Sequence, residues 1–123
     1  MRLMAQVLIG IIALEHLYFL WLEMFAWTSR GPRVFSMLPK TLFEPTRKLA
    51  ANQGLYNGFL AGGLLWSLLI EDPLWSSNVA AFFLCCVALA GIYGGWSAHR
   101  KIFFVQGLPA LVALLLLYLA LHP

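Results

Sequence analysis

Four long apolar stretches, at residues 3–27, 49–70, 78–97 and 102–121, leave this chain few folds to choose from. Each reaches the ~20 helical residues needed to cross the ~30 Å hydrocarbon core of a bilayer. Strands of a membrane barrel would alternate apolar and polar residues, whereas these stretches are apolar on every side. A helix also satisfies its own backbone hydrogen bonds where no water is present. The expectation is an all-α protein: a four-transmembrane-helix bundle forming a single integral membrane domain over residues 1–123. Composition agrees. The chain is 62% hydrophobic and 11% charged, where an ordinary soluble domain carries ~25% charged residues. Disorder, a disulfide-stapled secreted domain and a typical cytosolic enzyme are excluded on the same grounds.

Arg2 followed by an apolar run resembles a secretory signal, but the run is long and contains Glu15, His16 and Glu23. It also lacks a small-x-small cleavage site before Thr28, so it reads as a retained helix. The net charge of +3 is unevenly placed. Arg30, Arg33, Lys40, Arg47 and Lys48 lie between the first and second stretches, and Arg100 and Lys101 between the third and fourth. The opposite side has Arg2 alone among basic residues, with Glu71 and Asp72. This bias places both basic loops in the cytoplasm and both termini outside it, in a multi-pass membrane protein. Topology and anionic headgroups account for the positive charge better than nucleic acid does. Residues 28–48 also carry Val34, Phe35, Leu38, Leu42 and Phe43 between three prolines. That mixture suits a short interfacial helix, with a simple connecting loop as the alternative.

Gly54, Gly58 and Gly62 recur every fourth residue and line one stripe of the second helix, and the third has Gly91 and Gly95. Small residues at this spacing let helices approach closely. The stripe serves packing inside the chain, or could form the seam of a homodimer. Pro109 removes a backbone donor from the fourth helix, where a kink is expected. Cys85 and Cys86 point ~100° apart on a helix, which suits packing rather than a disulfide or a metal site.

The polar residues at membrane depth are the candidates for function, because ionisable groups there are expensive. Glu15 and His16 sit at the middle of the first helix. Glu23 shares the His16 face to within ~20°, but lies about 10 Å further along the axis, too far for one metal ion to bridge. No His-Glu-x-x-His or Glu-x-x-His spacing occurs, and neither a metal nor another cofactor is expected. Matching depths across the antiparallel helices brings Asn52, Gln53, Tyr56 and Asn57 on the second, Tyr93 on the third and Gln106 on the fourth to the level of Glu23. Such a cluster forms either a hydrogen-bond network stapling helices together or a vestibule open to the cytoplasm. His16, Glu23 and Glu15 are the candidate catalytic groups, since carboxyls are a costly way to staple helices. Asn52, Gln53, Tyr56, Asn57, Tyr93 and Gln106 are the candidate ligand-binding residues.

Several motifs are distinctive: Glu-His-Leu-Tyr-Phe-Leu-Trp-Leu-Glu-Met-Phe-Ala-Trp at 15–27, Ala-Ala-Asn-Gln-Gly-Leu-Tyr-Asn-Gly-Phe-Leu-Ala at 50–61, Gly-Ile-Tyr-Gly at 91–94 and Val-Gln-Gly-Leu-Pro-Ala at 105–110. In these the chain resembles a family of small four-helix bacterial membrane proteins classed as a domain of unknown function. The resemblance implies the four-helix fold, a place in the bacterial inner (plasma) membrane, and no particular activity. The residues themselves favour a pocket that binds a hydrophobic small molecule or lipid, with acid–base chemistry available from His16 and the two carboxyls. A proton-coupled exporter using Glu15, or a non-catalytic accessory subunit, are the alternatives. Cysteine-accessibility labelling should find residues 30–48 and 99–101 reactive from the cytoplasm and both termini from the other side. Equal labelling from the two sides at every position would overturn the charge argument.

Overall fold

The computed structural model describes residues 1–123. The chain is helical throughout: α1 (Arg2–Phe25), a single turn α2 (Gly31–Val34), a 3-10 turn at Lys40–Leu42, α3 (Arg47–Leu69), α4 (Pro73–Ser97), a π-helical turn at Phe103–Gly107 and α5 (Leu108–Leu121), which continues it. Three helices are long and apolar enough to cross a membrane: α1, α4 and the continuous helix Phe103–Leu121. α3 is as long, but Arg47, Lys48, Asn52, Gln53 and Asn57 in its first half keep it outside that group. Only 28%, 33% and 22% of the most apolar stretches of the three are buried inside the protein. Most of their apolar side chains therefore face outward, which lipid accommodates and water penalises.

The chain divides into two compact units, residues 14–61 and residues 1–13 with 62–123. In the first, α1 and α3 run antiparallel: a side chain at Gly54 would meet Met24 Cγ at 2.7 Å and Glu23 Cβ at 3.1 Å, and one at Gly58 would meet Leu20 Cδ1 at 2.5 Å. Two positions of the glycine stripe are thus filled from within the chain, while Gly62 has nothing within 4 Å. The segment joining the helices is held by Trp27. Its ring packs 4.9 Å from Phe43 and 5.4 Å from Phe35, and its Nε1 donates to Thr46 Oγ1 at 3.0 Å. Thr46 Oγ1 in turn donates to the Leu42 carbonyl at 2.7 Å. α1 ends at Phe25 rather than continuing to the expected 27, and the turn that follows carries Trp27 to this contact. Residues 28–48 form two separate turns in place of one interfacial helix. Pro32 sits in the first turn of α2 and Pro39 immediately precedes the 3-10 turn, because proline's fixed φ favours starting a turn over continuing one.

In the second unit, α3 and α4 form a hairpin. Asp72 caps α4 by accepting from the Trp75 N–H at 2.8 Å, with Pro73 in the first turn. This cap starts the helix at Pro73, five residues before the expected 78. Ser76 Oγ donates to the Ser67 carbonyl at 2.7 Å, tying the two arms where both serines are buried. The buried stripe of α4, Ser76, Ala80, Leu84, Val87 and Gly91, follows the three-and-four spacing of one helix face.

The helix containing Pro109 does not simply bend there. Leu108 N–H bonds the Phe103 carbonyl, five residues back, and α5 begins with Pro109 in its first turn. Proline in a regular helix has no N–H to offer and collides with the carbonyl four residues earlier; widening the preceding turn relieves that clash. The widened turn lies directly on α4. A side chain at Gly91 would overlap the backbone of Gly107, and one at Gly95 would lie 2.6 Å from Phe103 Cβ. Gly91→Ala should therefore destabilise the protein by about 1–3 kcal/mol, the usual cost of overpacking, as read from thermal unfolding followed by circular dichroism in detergent. Gly62→Ala should leave the midpoint unchanged or raise it, since alanine favours a helix over glycine by up to ~1 kcal/mol.

Candidate functional site

The first unit brings two of the sequence-derived candidates into direct contact. Asn57 Nδ2 donates to Glu23 Oε1 at 3.0 Å in a half-buried position. The contact follows from the glycines around it. With no side chain at Gly54, one turn before Asn57, the α1 backbone comes close enough that a Cβ there would lie 3.1 Å from the Leu20 carbonyl oxygen. Asn57 can then reach Glu23 across the antiparallel pair. The bond engages one carboxyl oxygen and one amide N–H. It leaves Glu23 Oε2 and Asn57 Oδ1 as further hydrogen-bonding atoms of the pair.

His16 is fully buried, with no exposed surface, and its ring meets Phe19 edge-on at 5.5 Å. At ~1.5 Å per residue it stands about 10 Å along α1 from Glu23. Glu15, its neighbour, is half-buried and turned toward a different side of the helix. On α3, Asn52, Gln53 and Tyr56 are exposed, and the Tyr56 ring rests on Phe59 at 6.2 Å. In the second unit Tyr93 is 67% exposed with its ring against Trp96, and Gln106 is half-buried within the π-helical turn. No three or more His, Cys, Asp or Glu residues gather in a way that could hold a metal ion.

A cavity of about 50 Å³ lies in the second unit, lined by Arg2, Gln6, Ser76 and Ser77 over Ile9, Ala80 and Leu117. None of the sequence-derived candidates lines it. The signal for it was the pair of hydroxyls at Ser76 and Ser77 and the amide at Gln6. Matching amides, phenols and carboxyls by depth passes over hydroxyls, which helices bury at little cost by donating to their own carbonyls, as Ser77 Oγ does to Pro73 O at 2.8 Å.

The chain matches a described family. The family model described as "Protein of unknown function (DUF1304)" matches residues 10–118, which include both Glu23 and Asn57. The chain belongs to this family. It is also similar to "Uncharacterized protein YpaA" of Lactococcus lactis subsp. lactis (strain IL1403), with 31% identity over 117 residues covering 94% of this chain and 97% of the relative. No solved structure matches the chain.

Because the Asn57 amide is the bonded partner of a half-buried carboxyl, Asn57→Ala should cost about 0.6–2 kcal/mol of stability, the range for hydrogen bonds between apolar membrane helices. Gln53→Ala, at an exposed position four residues away, should stay within about 0.5 kcal/mol of the parent. Unfolding in detergent measures both. Equal effects would deny the Glu23–Asn57 bond its role.

Proposed function

We propose that this is a multi-pass protein of the bacterial inner membrane, its four long helices all crossing the bilayer and its basic loops in the cytoplasm. On this reading, α1 and α3 hold a polar site that takes a hydrophobic small molecule or lipid from the cytoplasmic leaflet. The observation that carries the proposal is the Glu23–Asn57 hydrogen bond. A carboxyl and an amide at membrane depth, joined through a glycine-lined helix contact, offer both a proton and an acceptor to a ligand lacking its own water shell. Asn52, Gln53 and Tyr56 extend the polar surface of α3 beside this pair. His16 is the second group able to exchange a proton, and acid–base transformation of the bound molecule is the chemistry the pair could perform.

Two features support binding over plain helix stapling. Interhelical hydrogen bonds in membranes contribute only ~0.6 kcal/mol on average, little return for placing a carboxyl there. The exposed amides of Asn52 and Gln53 make no such bond. Protein purified in mild detergent should retain a lipid-like molecule detectable by mass spectrometry. Glu23→Gln and His16→Ala should lose that molecule while remaining inserted and helical, with Glu15→Gln the milder change. If Glu15→Gln instead eliminates a proton-driven flux in liposomes and His16→Ala does not, the protein is an exporter.

A further inference from the structure

Glu15 poses a problem that the rest of the chain does not solve. It lies near the middle of α1 (Arg2–Phe25), about 15 Å from the nearer helix end, well beyond the reach of its side chain to water. Glu23 has Asn57 as its partner; the Glu15 carboxyl makes no hydrogen bond within the chain. Its position explains why. Ile11, one turn before it, and Tyr18, one turn after it, are 56% and 44% exposed, and Leu14 and Trp21 continue the same outward face. The half-buried carboxyl emerges at the edge of that face. Lipid tails offer neither donor nor acceptor, and a bare carboxylate in hydrocarbon is more costly than a protonated one.

We infer that α1 pairs with α1 of a second copy of this chain, the two Glu15 carboxyls hydrogen-bonding reciprocally across a two-fold axis. A protonated carboxyl carries one donor and one acceptor, so it is complementary to itself. A two-fold axis through the contact brings each residue to its own counterpart. Helices packed side by side stand 8–10 Å apart, a gap that two glutamate side chains span from opposite sides. The glycine stripe of α3 offers less room for this contact, because Gly54 and Gly58 are already filled by Leu20, Glu23 and Met24 of the same chain. The exposed apolar residues around Glu15 then cover one another, and the carboxyls are matched without any ion or ligand. This pairing is independent of the ligand-binding reading, which rests on Glu23, Asn57 and His16.

The test is energy transfer between donor-labelled and acceptor-labelled copies of the full chain in phosphatidylcholine vesicles, titrated by protein-to-lipid ratio. The parent chain should associate. Glu15→Gln should associate similarly, since an amide is also its own complement. Glu15→Leu and Glu15→Met, both good membrane-helix residues, should need about tenfold more protein per lipid for the same transfer, with helical content by circular dichroism unchanged. Association of the leucine and methionine variants equal to the parent would overturn the inference. So would a parent chain showing no transfer at any ratio. Loss of association in Glu15→Gln as complete as in Glu15→Leu would overturn the reciprocal pairing and point instead to a cationic ligand at Glu15.

Discussion

If its helices cross a bilayer, as proposed, this chain gains nothing there by hiding apolar surface from water, because the lipid around it is equally apolar. What holds this chain together must come from how closely its backbones approach and from the few polar bonds that approach permits. At Gly54 and Gly58 on α3, and at Gly91 and Gly107 between α4 and the π-helical turn, the missing side chains bring one helix onto the backbone or inner side chains of the next. The Glu23–Asn57 hydrogen bond sits beside the Gly54 contact. That bond depends on the glycine, and the site proposed here depends on the bond.

The helices were legible in the sequence because nothing competes with their signal. An apolar run of twenty residues without a strand-like alternation has one stable form in lipid. What stayed hidden were events settled by single side chains at helix ends. Trp27 looked like the last residue of a helix, yet it belongs to the ring cluster with Phe35 and Phe43, a tertiary contact that no periodicity reports. The start of α4 was hidden because Trp75, Ser76 and Ser77 dilute its first turns, and only the pairing of Asp72 with Pro73 marks the boundary.

The candidate site was legible to a lesser degree, and for a different reason. Counting residues from a membrane boundary gives depth well, since the rise per residue is constant. Depth is how Glu23 and Asn57 could be matched across antiparallel helices. The direction in which a side chain points is harder to read when every face of a helix is apolar, because there is no polar stripe to set the rotation. Asn52 and Gln53 lie at a similar depth to Asn57 but are exposed. The cavity at Arg2, Gln6 and Ser76 escaped notice for the same reason: serine tells a reader little about where it faces.

The π-helical turn at Phe103–Gly107 has an effect on everything after it. A π turn houses one residue more than an α turn within the same loop of backbone, so each later side chain is rotated by about 100° from where an uninterrupted helix would set it. Ala110, Ala113 and Leu117 form the buried side of α5 only in this shifted phase. Between Phe103 and Gly107 the chain therefore carries what amounts to a one-residue insertion. A relative lacking both that residue and Pro109 could keep the same inward face on a regular helix, with its sequence aligning to this one across a single gap.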